Sequence, residues 1–243
     1  MLFFLPLRVV SVVCRCLRYK GLSVKGRGCK VGFSLVMADR IELSGGARIG
    51  HLNFIKCKRM LIGGGKIGHL NFVKGDFAVV MESGSLIHNQ NKVSSIGRGY
   101  HDVYLVLKEG SRIGVKCLLD MTDSIVFGKC SRLAGADTQI WTHGFVYSAD
   151  GTRFVRLDAP VLIADHVYIG TRCTILSGVK ISAHITVGAC SCVSKSLTEA
   201  GLYVGQGLRH LEYDADAKLK GYENPVASTF VFRRNGEEYY NYQ

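Results

Sequence analysis

The residue of this chain whose type and position best suit catalysis is His143. It follows Gln139 to Thr142 and is separated only by Gly144 from the segment Phe145 to Arg156, whose β-rich runs around Asp150-Gly151 predict a projecting hairpin. A neutral imidazole accepts a proton near pH 7, so a histidine beside such a hairpin is a candidate general base. The alternative is a loop histidine that caps a turn.

An internal repeat surrounds this position. The phrase Ile-Gly-His-Leu-Asn-Phe occurs at Ile49–Phe54 and again at Ile67–Phe72, 18 residues later. Eighteen is three times six, and apolar residues recur every sixth position through most of the chain, often followed by Gly or Ala. The predicted inward positions form four runs. The first is Val31, Met37, Leu43, Ile49, Ile55, Leu61, Ile67, Val73 and Val79; the second is Leu107, Ile113 and Leu119; after a slip of two residues the third is Phe127 and Leu133; the last is Ile163, Ile169, Ile175, Ile181, Val187 and Val193.

A six-residue period fits neither an α-helix nor a simple strand alternation. It is typical of a solenoid in which a short strand and a tight corner repeat three times per coil, with the small residue allowing the backbone to turn closely. A β-sandwich or barrel of short strands is the alternative, but its turns would be irregularly spaced. The pairs His51 and His69, and His166 and His184, occupy equivalent repeat positions, so a solvated ladder is predicted for each.

Composition and charge narrow the class of protein. The chain has 243 residues, 47% of them apolar, and only three Pro, which favours an ordered core over disorder. Its nine Cys have spacings that suit no structural zinc site and indicate a reducing compartment. Residues 1–75 hold 14 Lys and Arg against two acids, whereas residues 76–243 hold 17 of each sign. Acidic lipid, a polyphosphate cofactor and nucleic acid are candidate partners for this basic third, but no nucleic-acid-binding module is recognisable.

The opening stretch, Met1 to Arg18, is apolar but interrupted by Arg8 and Arg15. It lacks the charge pattern of a signal peptide and is too short and charged for a membrane span. As a helix it would carry its Arg residues on one stripe, which suits a helix lying on an anionic membrane. A cap over the open end of the solenoid, or packing against a second subunit, is the alternative.

Over Pro160 to Leu197 the chain resembles the hexapeptide-repeat acyltransferases. The residues that carry the resemblance are Ile163 to Gly170, Thr174 to Val179 and Val187 to Lys195. It implies an all-β fold, a left-handed parallel β-helix that assembles as a homotrimer. Within that family the insertion is similar to that of sugar O-acetyltransferases, in which a His before a protruding loop is the general base. His143 occupies that position. Asp137 is predicted to orient it, with Asp123 or a backbone carbonyl as the alternatives.

The resemblance also implies a coenzyme A groove between subunits, with acetyl-CoA as the co-substrate. The residues it marks for that groove are Tyr168, Ser177, Gly178, Ala189, Lys195 and Arg209, and Trp141 and Thr142 are expected to contact the acceptor. After the last coil the family carries Gly-x-Pro-Ala-Lys, where this chain has Gly205 to Arg209 without the Pro. Trimeric carbonic anhydrases share the fold, but their His-x4-His zinc pair has no counterpart here.

The predicted organisation has three parts: an N-terminal amphipathic or cap segment (1–22), a β-helix (23–200) with inserted loops 84–106 and 138–160, and a C-terminal cap and hairpin (201–243). The hairpin is predicted from Thr229 to Tyr242 around Asn235-Gly236. The expected function is acetyl transfer to a sugar hydroxyl of a bacterial surface-polysaccharide precursor. The protein is expected to be cytoplasmic, with a small or lipid-linked acceptor and a peripheral contact with the inner membrane. An amino-sugar N-acetyltransferase and a non-catalytic trimeric scaffold remain as alternatives.

Overall fold

A computed structural model describes residues 22–25, 28–95, 102–147, 154–205, 209–212, 222–223, 231–234 and 237–240. The predicted helix within Met1 to Arg18 lies outside these residues, as do the two predicted hairpin turns. The chain divides into two compact units, Met1–His210 and Leu211–Gln243. In the described residues of the first unit there is no helix long and apolar enough to cross a membrane.

The first unit is a β-solenoid with three faces, and each face is a β-sheet. Within each sheet, the described strand pairs between successive coils are parallel. Face 1 contains β1 Leu22–Lys25, β4 Arg40–Ser44, β7 Arg59–Gly63, β10 Phe77–Met81, β13 Val103–Leu107, β16 Ile125–Phe127, β21 Val161–Ile163 and β24 Lys180–Ile181. Face 2 contains β2 Lys30–Val31, β5 Arg48–Ile49, β8 Lys66–Ile67, β11 Leu86–Ile87, β14 Arg112–Val115, β17 Arg132–Ala136, β22 Tyr168–Ile169, β25 Ile185–Val187, β27 Gly201–Val204 and β28 Arg209–Leu211. Face 3 contains β3 Leu35–Met37, β6 Phe54–Lys56, β9 Phe72–Lys74, β12 Lys92–Ser94, β15 Leu118–Asp120, β18 Gln139–Ile140, β23 Thr174–Ile175 and β26 Cys192–Val193.

The bore of the solenoid is filled by the apolar repeat residues. Ile49 and Ile67 pair in register on face 2, and Ile55 and Val73 do the same on face 3. These side chains are at most 3% exposed. The all-β parallel β-helix predicted from the sequence is therefore confirmed.

Two predicted inward positions are wrong by one residue. On face 3 the buried residue is Val36, and Met37 is only partly buried; on face 1 Met60 and Ile62 are buried on either side of Leu61. Face 1 has five-residue strands here, and residues that pair between neighbouring strands are 19 positions apart in the sequence, as Leu43 and Ile62 are. A strict count of six cannot follow that extra residue.

The corners bring successive coils close together. A Cβ on Gly50 would lie 2.2 Å from the carbonyl oxygen of Gly68, which explains the small residue after the inward aliphatic. Inside the corner between faces 2 and 3, Asn53, Asn71 and Asn91 form a buried ladder. Asn71 Nδ2 donates to Asn53 Oδ1 at 3.0 Å, and Asn91 Nδ2 donates to Asn71 Oδ1 at 3.1 Å.

The insertions differ in part from the prediction. Strands β11 and β12 continue faces 2 and 3 through Ser94, so the first insertion is shorter than residues 84–106. In the second, β19 His143–Tyr147 and β20 Phe154–Asp158 form the expected antiparallel hairpin. The predicted end of the solenoid at residue 200 is also too early, because β27 pairs in parallel with β25.

The second unit contains a three-stranded antiparallel sheet. Its strands are β29 Tyr222–Glu223, β30 Val231–Arg234 and β31 Glu237–Tyr240, and β30 pairs with β31. The predicted C-terminal hairpin is therefore present.

Candidate active site

The candidate site lies where the coil leaves face 3 and the inserted hairpin begins. Strand β15 ends at Asp120, and the next strand on that face, β18, ends at Ile140. The pairing of Leu119 with Ile140 places Asp120 beside the two residues that lead into β19. Stacking of coils therefore brings Asp120 and His143 together, although 23 positions separate them in the sequence.

His143 and Asp120 form a close, buried pair. His143 Nδ1 lies 2.7 Å from Asp120 Oδ2, and the two side chains are 7% and 4% exposed. A carboxylate only accepts hydrogen bonds, so Nδ1 is the nitrogen that carries the proton and donates it to Oδ2. In the neutral ring this leaves Nε2 as the proton acceptor, the tautomer that a general base requires.

Two threonines hold the carboxylate in place. Thr122 Oγ1 donates to Asp120 Oδ1 at 2.8 Å, and the Thr142 backbone N–H donates to Oδ2 at 3.0 Å. The Thr142 hydroxyl lies 2.8 Å from Oδ2 and accepts from the Asp123 backbone N–H at 2.9 Å. The Asp120 carboxylate is therefore held in one orientation by several hydrogen bonds, and its contact with Nδ1 orients the imidazole in turn.

Thr142 does not fit the predicted role of contacting an acceptor. Its side chain is completely buried, and its hydroxyl is engaged with Asp120 and Asp123. The prediction is corrected: Thr142 braces the carboxylate from inside the corner, where a substrate has no access.

Two aromatic rings flank the imidazole. Trp141 and Phe145 each meet the His143 ring edge-on, with centroid separations of 5.8 and 5.5 Å. Phe145 is 51% exposed at the start of the hairpin. No hydrogen bond to His143 Nε2 is formed among the described residues. The two rings therefore pack against the imidazole, and Trp141 remains a candidate for acceptor contact.

The carboxylate that orients the ring is Asp120, and the sequence prediction of Asp137 is corrected. Asp137 lies on the corner between faces 2 and 3, where its Oδ2 is 3.9 Å from Arg172 Nε. Asp123, the other carboxylate considered, is buried at the site itself and bonds the Ser124 backbone N–H at 2.6 Å. Asp120 was missed, and the signal for it was the two-residue slip of the apolar period just after Leu119.

The residues marked for coenzyme A are spread over the last coils. Ser177 is at the site, since its hydroxyl lies 3.3 Å from the Thr142 carbonyl oxygen, and a Cβ on Gly178 would lie 3.5 Å from Ala159 at the end of the hairpin. Tyr168 is 47% exposed on face 2. Ala189 and Lys195 are exposed farther along, and the side chain of Arg209 lies outside the described part of the chain.

The other histidines divide into two kinds. His166 and His184 are exposed and stacked with ring centroids 5.2 Å apart, as predicted. His51, however, is only 6% exposed, so the solvated ladder predicted for His51 and His69 is wrong. Their Nδ1 atoms accept the backbone N–H groups of Phe33 and His51 at 3.1 and 3.0 Å. No cluster of three or more metal-ligating side chains occurs among the described residues.

The first unit is a three-faced β-solenoid with a buried His–Asp pair at the foot of an inserted hairpin. No family model matches the sequence, and no curated protein shows a significant match to it. Similar solved structures include the polySia specific acetyltransferase NeuO, with a TM-score of 0.43 and 13% identity over 79% of this chain and 80% of that one.

Two further structures have comparable similarity. One is a mutant of AntD, an N-acyltransferase from Bacillus cereus, in complex with dTDP-4-amino-4,6-dideoxyglucose and coenzyme A; its TM-score is 0.42, with 16% identity over 90% of this chain and 96% of that one. The other is the polysialic acid O-acetyltransferase OatWY, with a TM-score of 0.42 and 16% identity over 87% and 95%. At these levels of similarity, function must be argued from the side chains of this chain.

Proposed function

We propose that this protein transfers an acetyl group from acetyl-CoA to a sugar hydroxyl, with His143 as the general base. The observation that carries the proposal is the 2.7 Å contact between His143 Nδ1 and the buried Asp120 carboxylate. That contact selects the tautomer whose Nε2 can take a proton. The imidazole itself lies at the foot of the hairpin, where Trp141 and Phe145 meet it edge-on.

The reaction needs only one activation step from the protein. A thioester is already reactive, so the barrier lies in deprotonating a poor nucleophile, the acceptor hydroxyl. Nε2 accepts the hydroxyl proton as the oxygen attacks the acetyl carbonyl carbon. The new C–O bond forms, the C–S bond breaks, and the imidazolium returns the proton to the leaving thiolate. Asp120 stabilises the imidazolium without taking its proton.

Acetyl-CoA as the donor rests on the resemblance of Pro160 to Leu197 to the acyltransferase coils. Ser177 and Gly178 are the marked residues that lie nearest the His–Asp pair, so we place the thioester end of the cofactor beside them. Tyr168, Ala189, Lys195 and Arg209 would then meet the more distant parts of the cofactor. The proposed assembly is a homotrimer, which light scattering of the purified protein would measure directly.

The decisive experiment is an acceptor screen with acetyl-CoA, read by release of free thiol. It should include activated sugars and lipid-linked oligosaccharides, because the basic N-terminal third suits an acceptor held at an anionic membrane surface. His143→Ala should bind acetyl-CoA normally in calorimetry yet lose about a hundredfold or more in kcat. The matched control is His184→Asn, which changes an exposed histidine away from the hairpin and should leave kcat unchanged.

Two results would redirect the proposal. A product resistant to mild base would be an amide, and the protein would then be an amino-sugar N-acetyltransferase using the same His–Asp pair. Absence of acetyl-CoA binding in calorimetry would instead favour a non-catalytic scaffold.

A further inference from the structure

The duplicated phrase near the N-terminus builds a surface that the proposed chemistry does not use. With its flanking residues, the phrase reads Arg48 to Lys56 in one coil and Lys66 to Lys74 in the next. The two copies stack in register on faces 2 and 3. Each copy therefore presents, in order around the coil, a cation, a corner Leu, a Phe and a second cation.

Six large apolar side chains of these two coils and of the coil before them are exposed, except that Phe54 is half-buried. We call them the apolar ridge: Phe33, Leu35, Leu52, Phe54, Leu70 and Phe72. Leu52 and Leu70 are 60% and 50% exposed, and Phe33 is 67% exposed. Phe54 and Phe72 stack on each other with centroids 5.3 Å apart. Water thus faces a continuous row of large apolar side chains across three coils, which marks an interaction surface on a folded protein.

Backbone conformation makes the two leucines more unusual. Leu52 and Leu70 have φ values of 56° and 58°, in the left-handed region that is costly for side chains other than Gly, Asn and Asp. The next coil places Gln90 at the same corner with φ 61°. Leucine is therefore not needed for the turn, and local conformation does not explain its presence twice.

Cations flank the apolar ridge on both sides. Lys30, Arg48 and Lys66 stack in one outward row on face 2, and Lys56 and Lys74 stack on face 3. Within the described part of the chain, Arg48, Lys56, Lys66 and Lys74 form no ion pair. The same stretch, residues 28–75, contains only Asp39 and Glu42 as acids, and Glu42 is bonded to Arg40.

We propose that the apolar ridge and its two cation rows dock the solenoid onto an anionic lipid bilayer. Leu and Phe side chains would enter the boundary between headgroups and acyl chains, while Lys and Arg would lie at the level of the anionic headgroups. A second copy related by a two-fold axis at this surface would bring like cation rows together, and repulsion disfavours that contact. The surface belongs to the folded coils, so it is distinct from the segment Met1 to Arg18.

The test is flotation of the full chain with vesicles of phosphatidylcholine alone or with about 30% phosphatidylglycerol. The apolar variant is Leu52→Gln/Leu70→Gln/Phe72→Gln. Gln is chosen because Gln90 occupies the same corner, and because Gln139 lies in the same outward row as Phe72. The charge variant is Lys56→Gln/Lys66→Gln/Lys74→Gln. Its matched control removes three exposed lysines elsewhere, in Lys108→Gln/Lys116→Gln/Lys180→Gln.

The wild type should float with the anionic vesicles only. The charge variant should lose about ten- to a hundredfold in partitioning, and the apolar variant at least about tenfold, with the control unchanged. Turnover of a soluble acceptor should stay the same in both variants, which separates docking from catalysis. Equal flotation of the wild type and both variants would overturn the proposal. So would a lower oligomeric mass for the apolar variant in light scattering, or binding to duplex DNA that the apolar substitutions leave intact.

Discussion

The N-terminal coils, residues 28–95, and the C-terminal coils, residues 102–205, share one bore but differ at their corners. Ile55 and Ile175 occupy the same row of face 3, and neither is exposed at all. Outside the bore the N-terminal coils carry exposed Leu and Phe between cations. The C-terminal coils carry the inserted hairpin and the His–Asp pair.

The buried corner positions show the same division. In the N-terminal coils the residue after the left-handed corner residue is Asn, in the ladder Asn53, Asn71 and Asn91. In the C-terminal coils the corresponding buried residues are Cys117, Thr138, Cys173 and Ser191. The feature that the two regions share is the row of inward-facing aliphatic side chains. The corners and insertions are where the two regions have acquired different properties.

The largest expected effect is on catalysis in the C-terminal region. Asp120→Asn should reduce kcat by about 10² to 10⁴, because an amide no longer enforces the proton on Nδ1 of His143. The KM for acetyl-CoA should change little, since Asp120 acts through the imidazole. Steady-state thiol release measures both constants.

The control for this substitution is Asp137→Asn, which changes the residue predicted from the sequence to orient His143. Asp137 sits on a left-handed corner that Asn tolerates, and its charged neighbour is Arg172. Its kcat should stay within about twofold of wild type. If Asp137→Asn loses more activity than Asp120→Asn, the geometric assignment is wrong.

The next prediction tests whether the inward aliphatic side chains contribute equally to stability in the two regions. Ile55→Ala and Ile175→Ala should each lower the free energy of unfolding by about 2–5 kcal/mol, because each leaves a cavity between stacked coils. Denaturant unfolding followed by circular dichroism measures both. A cost below about 1 kcal/mol for either variant would mean that its coil is not packed as described.

The bore was predictable from the sequence because its period is local. Each coil must place an aliphatic on every face, so Ile49, Ile55 and Ile175 could be assigned without a structure. The count failed at Met37 and Leu61, where the five-residue strands of face 1 add a residue that no turn signal marks.

Only one of the two paired residues of the candidate site could be predicted from its neighbours in the sequence. His143 could be found because it lies beside a segment that breaks the six-residue period and has the turn residues of a hairpin. Asp120 could not, since its position beside the ring depends on the length of one coil and on the pairing of Leu119 with Ile140. Asp137 is closer to His143 in the chain than Asp120 is, but the stacking of coils decides which residues are near in space.

A smaller effect should distinguish the two kinds of corner. Asn71→Ala removes the acceptor of two hydrogen bonds from Asn91 and the donor to Asn53, all of them buried. The free energy of unfolding should fall by about 1–3 kcal/mol. Cys173→Ala, at the equivalent corner, loses a thiol contact of 3.2 Å to the Gly188 carbonyl oxygen and should cost about 1 kcal/mol or less. Equal costs would show that the Asn ladder has no special role.

The last prediction concerns thiol chemistry. Burial, together with the nearby negative charge of Asp39, raises the pKa of Cys57 to about 12, and burial raises the pKa of Cys117 to about 11. Only the thiolate reacts, so at pH 8 these two side chains should be alkylated at least about a hundredfold more slowly than an ordinary exposed cysteine. Their labelling should accelerate as pH rises towards those pKa values. Cys130 and Cys190 are exposed in the C-terminal coils and serve as internal references in peptide mapping by mass spectrometry. Labelling of Cys57 at the rate of Cys190 in the native protein would mean that the N-terminal coils open far more readily than their packing implies.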